Sequence, residues 1–515
     1  MNKRRASTID FAERRDTIGY LAFLLYSIIL MIFSFIKGVG SDYILTFAVV
    51  LCVCSIMYLW TAKISGDNLL AFPLAIIIMT GSYIQVYLAL EAGTLGSSRK
   101  SYTLYILVGL IVFLAVVFVM TRKISVICFL YSYQGVRILM CATCILYLIT
   151  IIWNIAGQKG NVGQVKNWIS IMGISVQMTD ITRLMYIWIL AVSAKRINNI
   201  KWFRLVALNY FLNVIFLIIA SELGFIILIS IVTAIVMALY LDDLAVVKKT
   251  FGKRLKPVVI IAAVIILLGI IFHRLLYNLM LRSSIGVKII DRFTLFIDPE
   301  NVSPDLAYQY NLVKTAIYNG GLFGNKNLSA VVPVGESDLI FSNIVQYFGL
   351  IIGMIVVLLL SVFYISLLVK CRRNTQSSVG QIFTLSLFSQ TLFNIGATIG
   401  VFPLAGVTLP FLSLGGTSFV LSFLSIGIIL GAGSVKYPYS EFESIGKEEK
   451  ESNGSRERKK ISDLVNDFDS SCCWNSDSVS GEIRGDSGTF QNSGQGQSGS
   501  NTERKTGKHD FWNDL

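Results

Sequence analysis

The residues able to do chemistry in this chain are few, and they stand beside long apolar runs. Asp338 directly precedes Leu339-Ile340-Phe341 at the end of Pro333-Val334-Gly335-Glu336-Ser337-Asp338. A carboxylate there could cap a helix N-terminus. It could also act as a partly desolvated general base, because burial raises a carboxylate pKa. Spacing alone favours the cap. Asp180 and Arg183 follow Gln177 at the start of another apolar run. At i, i+3 on a helix they can pair with each other. Glu222 sits in Ser221-Glu222-Leu223-Gly224 between two apolar runs. It could cap the following helix near its positive end or orient a polar ligand. The stretch Asn394-Ile395-Gly396 leads to Pro403, Gly406 and Thr408-Leu409-Pro410-Phe411-Leu412-Ser413-Leu414-Gly415-Gly416-Thr417-Ser418. So much Pro and Gly in an apolar setting means an interrupted helix. Within a bilayer, interrupted backbone is tolerated only where protein buries it or where it lines a cavity.

The elements that must position these groups are membrane helices. Of 515 residues, 54% are hydrophobic and only 15% charged, against roughly 25% charged in soluble domains. Mean hydropathy is +0.67. A soluble fold of this size has too little polar surface to cover so much apolar area. Two histidines make a His-rich metal site or a Ser-His-Asp triad an unsuitable reading. The eight cysteines form no disulfide framework, and Cys141-x-x-Cys144 lies mid-span, where packing explains it. Nothing points to a nucleic-acid partner.

Twelve spans are expected, near 18–36, 43–62, 69–90, 103–121, 134–156, 179–194, 203–220, 224–241, 257–276, 339–369, 380–402 and 413–435. Basic residues then gather on one side: Arg122 and Lys123; Lys195, Arg196, Lys201 and Arg204; Lys248 to Lys256; and Lys370 to Arg373. The positive-inside rule makes that side cytoplasmic, with both termini on it, and leaves 157–178 and the long segment 277–338 outside. The expected organisation is a cytoplasmic N-terminus at 1–17, extra N-terminal helices within 18–90, a membrane core at 91–435 with its large outer loop at 277–338, and a disordered cytoplasmic tail at 436–515, rich in Ser, Gly and Asn.

Read in order, these places resemble the SEDS family of shape, elongation, division and sporulation proteins (the FtsW/RodA/SpoVE group). The likeness is collinear over about 160–435. A family loop carrying a Trp, then Gln-Pro-Ser-Glu and a Lys, is similar to Trp168 followed by Gln177-Met178-Thr179-Asp180 and Arg183. The family's Pro-Asp-Leu-Gly-Thr resembles Ser221-Glu222-Leu223-Gly224-Phe225. Its Arg before a Phe-x-Asp-Pro segment resembles Arg292 and Asp298-Pro299. Its Gly-Gly-x-x-Gly and following Leu-Pro-Glu-x-x-Thr-Asp resemble Gly320-Gly321-Leu322-Phe323-Gly324 and the stretch ending at Asp338. A Pro-x-x-Gly-x-x-Leu-Pro-Phe-x-Ser-x-Gly-Gly-Ser-Ser motif is nearly intact at Pro403–Ser418. Departures are Met178 for Pro, Asp180 for Glu, Arg183 for Lys, Glu222 for Asp, Val334 for Glu, and Gln346 and Tyr347 for an acidic pair.

The resemblance implies an all-α polytopic protein with a ten-helix core. Two extra N-terminal helices follow, because the Trp loop comes after five spans rather than three. It implies a bacterial cytoplasmic-membrane glycosyltransferase that polymerises lipid II into peptidoglycan strands at the outer face, in division, elongation or sporulation. The family's essential Asp falls on Asp338 as general base. Lys166, Trp168, Gln177, Asp180, Arg183, Glu222, Arg292, Lys326, Glu336, Ser413, Gly415, Gly416 and Ser418 are the expected substrate-binding positions. The implied partner is a class B penicillin-binding protein, and the implied cofactor is a divalent cation, Mg2+ or Mn2+, with no metal ligands assigned. A lipid-linked sugar transporter also suits the many spans and the broken helix. An O-antigen-type polymerase or ligase shares the architecture but lacks the Pro403–Ser418 motif, and a non-catalytic scaffold for a penicillin-binding protein is the fourth reading.

Overall fold

The computed structural model describes residues 2–36, 42–65, 71–91, 95–157, 168–171, 174–220, 222–241, 284–299, 302, 304–325, 332, 335–372, 377–404 and 406–434. The expected span at 257–276 and the expected tail at 436–515 lie outside the described residues.

Helices dominate. In chain order they are α1 (Asn2–Ile36), α2 (Asp42–Ser65), α3 (Ala71–Glu91), α4 (Leu95–Arg122), the short α5 (Ile124–Tyr131), α6 (Tyr133–Gly157), α7 (Met178–Ser193), α8 (Ile200–Ile219), α9 (Leu223–Tyr240), α10 (Ser284–Ile297), α11 (Pro304–Gly320), α12 (Ile340–Phe348), α13 (Leu350–Lys370), α14 (Ser378–Thr398) and α15 (Gly416–Ser434). Among the described residues the fold is all-α apart from one hairpin. In it, β1 (Trp168–Ile171) pairs antiparallel with β2 (Ile174–Gln177), setting Trp168 opposite Gln177. The loop expected at 157–178 thus enters α7 through a two-stranded ribbon.

Among the described residues, seven helices are long and apolar enough to cross a bilayer: Thr17–Ile36, Ala71–Glu91, Tyr102–Arg122, Tyr133–Trp153, Ile200–Ile219, Leu223–Tyr240 and Leu350–Lys370. Two shorter apolar stretches, Thr46–Trp60 and Gly416–Ala432, lie in α2 and α15. Their outward faces are bare hydrocarbon. Ile111, Ile138, Ile152, Phe211 and Leu358 are all more than half exposed, which suits contact with lipid tails. The protein is therefore a multi-pass membrane protein.

One expected boundary holds and one expected span divides. The first apolar span, Thr17–Ile36, begins where expected, and α1 extends it N-terminally as helix from Asn2. The expected single span at 339–369 is two helices, parted at Gly349. Gly349 holds φ +89°, and a Cβ there would collide with the Leu322 carbonyl oxygen. Apolar character runs through the break, so hydropathy could not show it. The Gly320-Gly321-x-x-Gly324 motif docks backbone to backbone on this break. Leu350 donates to Gly321 O (2.9 Å) and Asn325 to Gln346 O (2.7 Å).

Three helices are buried almost all round: α3, α7 and α14. They also carry many of the polar residues of the interior. Most of their hydroxyls bond back one turn, as Thr384 does to Gly380 O (2.7 Å) and Thr398 to Asn394 O (2.8 Å). That arrangement satisfies a polar group where water is absent. The amides instead reach across to the non-helical segment 399–415, which positions the site.

Candidate active site

Between α14 and α15, the described residues 399–404 and 406–415 form neither helix nor strand. Pro403 and Pro410 remove donors from this segment, and Phe411, though fully buried, holds φ +65°. A non-glycine residue there costs on the order of 1–3 kcal/mol and persists only where its surroundings impose it. Side chains from neighbouring helices supply the partners that a helix would have supplied. Gln390 Nε2 donates to Thr408 O (2.9 Å), and Asn394 Nδ2 to Val407 O (2.6 Å). Ser413 Oγ accepts from Leu409 N (2.8 Å) and donates to Ser337 O (2.6 Å). Thr408 and Ser418 hydroxyls meet at 2.5 Å. This is the interrupted helix expected from the Pro403–Ser418 run, and its Val407 and Leu409–Ser413 are buried in protein.

Asp338 lies in the turn before α12, outside the seven spans. The α12 N-cap position belongs to Leu339, and no side chain caps it, so the capping reading of Asp338 is corrected. The turn is fixed through its main chain instead. Asn394 Nδ2 donates to Asp338 O at 2.7 Å. The carboxylate lies against Gly406, where a Cβ would come 3.1 Å from Asp338 Oδ2. Burial raises the Asp338 pKa to about 6; the Asp180 carboxylate adds to the rise, and a Ser337 hydrogen bond opposes it. A half-buried carboxylate that titrates just below neutral pH is suited to accept a proton.

Asp180 and Arg183 pair as their spacing predicted, at 3.3 Å. Arg183 also donates to Gln390 Oε1 (2.9 Å) and lies 5.0 Å over the Phe225 ring. Its guanidinium is engaged inside the protein, so it acts first as the strut joining α7 to α14. The hairpin is tied to the same seam, since Gln177 N donates to Thr417 Oγ1 (3.1 Å).

The other expected positions divide. Ser413 and Ser418 are brought to the Asp338 seam as the ties just described, and Gly415 lies against Thr408. Gly416 begins α15 at φ +37°, facing Tyr105. Glu336 contributes its carbonyl, which accepts from Leu414 N at 2.8 Å. Glu222 occupies the α9 N-cap position, beside the positive end of that helix as its place in the sequence suggested, without a side-chain capping hydrogen bond. Trp168 and Arg292 lie on β1 and α10, while Lys166 and Lys326 fall outside the described residues. Sequence reading missed Gln85 and Gln390 and gave Asn394 no side-chain role. The available signal was an amide within an apolar run, with Gln390 and Asn394 one turn apart.

Among the described residues, no group of three or more His, Cys, Asp or Glu could hold a metal ion. Asp180, whose charge acts on Asp338, is already paired with Arg183.

Fold and site define a helical, multi-pass membrane protein with a non-helical, re-entrant segment set against a half-buried carboxylate. Residues 67–436 match the FtsW/RodA/SpoVE family, described as cell cycle proteins, and the chain belongs to that family. The match takes in α3, ahead of the core boundary expected at 91, and leaves α1 and α2 outside. The chain is 33% identical over 182 residues to a probable peptidoglycan glycosyltransferase FtsW of Enterococcus hirae, covering 34% of this chain and 45% of that protein. It is 24% identical over 290 residues to the probable FtsW of Trichlorobacter lovleyi, covering 54% of this chain and 70% of that protein. The stage V sporulation protein E of Bacillus subtilis is 29% identical over 175 residues, covering 32% of this chain and 46% of that protein. The chain spans less than half the length of the first of these relatives. A chain of a solved peptidoglycan synthase complex superposes with a TM-score of 0.53 at 19% identity, covering 72% of this chain and 98% of that one, and so shares the fold. The protein is thus a multi-pass protein of the bacterial cell membrane.

Proposed function

We propose that this protein is a membrane glycosyltransferase that polymerises lipid II into peptidoglycan glycan strands at the outer face of the membrane. The observation that carries the reading is Asp338, a half-buried carboxylate with a pKa of about 6 held against the re-entrant segment. The acceptor sugar 4-hydroxyl attacks the donor anomeric carbon. A C–O bond forms there as the bond to the pyrophosphate oxygen breaks, and the hydroxyl proton passes to Asp338. The leaving group is polyprenyl pyrophosphate. An α-linked donor and a β-linked product mean one inverting displacement, so no covalent nucleophile on the protein is needed. The departing anion requires cations, with Arg292 and Lys326 of the 277–338 segment as the candidates. Arg183 supports the site from beneath, in the Asp180 pair.

A divalent cation enters this reading as a companion of the pyrophosphate, with no step routed through it. Loss of polymerisation in EDTA, restored by Mg2+ or Mn2+, supports that role, and unchanged polymerisation removes it. Both termini are proposed to be cytoplasmic. Cysteines placed at Gly163 and Ser337 should then label from outside, and those at Lys253 and Ser455 only from inside. The solved relative belongs to a complex that coordinates polymerisation and crosslinking, so a class B penicillin-binding protein is the proposed partner.

The deciding experiment incubates purified full-length protein with lipid II and resolves the products. Glycan strands from wild type, and none from Asp338→Asn, support the reading. Lipid II moved across vesicles without polymer would make the protein a transporter.

A further inference from the structure

The turn that carries Asp338 is held by a residue far from it in sequence. Three successive carbonyls of this turn are each taken by a different partner. Asp338 O accepts from Asn394 on α14, and Ser337 O from Ser413 of the re-entrant segment. Glu336 O accepts from Leu414 N and also from Gln85 Nε2 at 3.0 Å. The same Gln85 nitrogen donates its second hydrogen to Leu412 O at 2.6 Å. One buried amide on α3 therefore bonds both the Asp338 turn and the re-entrant segment. Asn394, on α14, does the same by joining Asp338 O to Val407 O.

Gln85 has no slack. It is 5% exposed, in a helix that is itself buried. One turn earlier, Gly81 lets the re-entrant backbone approach so closely that a Cβ would lie 2.7 Å from Phe411 O. Gly81 and Gln85 thus present one face of α3 to the segment where Phe411 holds its strained φ. Elsewhere α3 is packed by α1, a helix outside the family match. Tyr26 of α1 bonds Thr80 at 2.7 Å, and Phe33 meets the Tyr83 ring at 6.3 Å. A glutamine that uses both amide hydrogens on carbonyls of two separate segments fixes their separation, and with it where the carboxylate lies.

We propose that Gln85 is a positioning residue: through Glu336 O and Leu412 O it sets the Asp338 turn against the re-entrant segment, so that the carboxylate meets the acceptor hydroxyl. This rests on the polymerase reading for its catalytic consequence, but not for its structural one. Gln85→Met keeps the length and removes both donors. A displacement of about 1 Å at a reacting group costs about 10²-fold in rate. The expected result is a fall of about that size in kcat for lipid II polymerisation, with KM changed far less. A residue that only glues α3 into the bundle would lower yield and thermal stability and leave the kcat of the folded fraction unchanged.

A second measurement needs no activity. With Ser337→Cys in the full-length protein, labelling by an impermeant maleimide should quicken several-fold when Gln85→Met is added. Unchanged labelling in a well-folded double variant overturns the proposal, whatever the activity. Should wild type make no glycan while labelling still quickens, the polymerase reading fails and the positioning role stands. Gln85→Glu, which sets a carboxylate against the same two carbonyls, is read in the same way where the Met variant does not reach the membrane.

Discussion

Replacing Asp338 by Asn should raise stability and abolish activity in one step, and the two signs together test the site. The carboxylate moves from an ordinary 3.8 to about 6 in the folded protein, chiefly through burial. At about 1.4 kcal/mol per pKa unit, the folded state disfavours the ionised form by at most about 3 kcal/mol, less whatever partial solvation returns. The sign follows from linkage. A carboxyl whose folded pKa is raised binds its proton more tightly when folded. Its favourable contribution is complete below about 4 and is lost as the pH rises through about 6. At a pH of about 7.5 wild type therefore bears the cost of an ionised, half-buried group, and the Asn variant does not. Thermal unfolding in detergent should show Asp338→Asn at least as stable as wild type at that pH, with the difference vanishing near a pH of about 4. Polymerisation should fall by about 10²–10⁴-fold, the usual cost of losing a general base. In wild type the rate should fall about tenfold per pH unit below about 6. A variant that polymerises at near wild-type rate, or that is clearly less stable at the higher pH, would refute the reasoning. The carboxylate would then be a satisfied structural charge.

Three other outcomes follow from the geometry. Gly349→Ala should destabilise by at least ~1–3 kcal/mol from its positive φ alone, before the contact with Leu322 O, and wild-type thermal stability would rule out the helix break. Asp180→Asn strands the buried Arg183 charge and should cost about 3–5 kcal/mol, seen as lost yield or a lower Tm. Asp180→Asn with Arg183→Met should recover much of that loss, and equal loss in both would show that a stranded Arg183 charge is not its cause. Gly416→Leu, at φ +37° against Tyr105, should insert normally and lose polymerisation; full activity would make the α15 start a mere kink.

Sequence alone determined much of the protein. The membrane class follows from hydropathy, because apolar runs of span length leave no soluble alternative. The interrupted segment follows from Pro and Gly, which forbid a helix by backbone sterics and missing donors. The Asp180–Arg183 pair follows from i, i+3 spacing, which any helix there enforces. Each of these depends on local chain chemistry. What tertiary structure alone decided is whatever depends on partners distant in the chain. Whether Asp338 caps α12 or titrates beside the re-entrant segment is set by Asn394, Gly406 and Asp180, none of them its sequence neighbours. The split at Gly349 is invisible to hydropathy because apolar residues flank it, and it exists because the Gly320–Gly324 turn docks there. Gln85 is one polar residue in an apolar run until α3 is laid against two carbonyls 251 and 327 residues downstream. Buried donors must find acceptors, but only the folded chain decides which acceptors lie within reach.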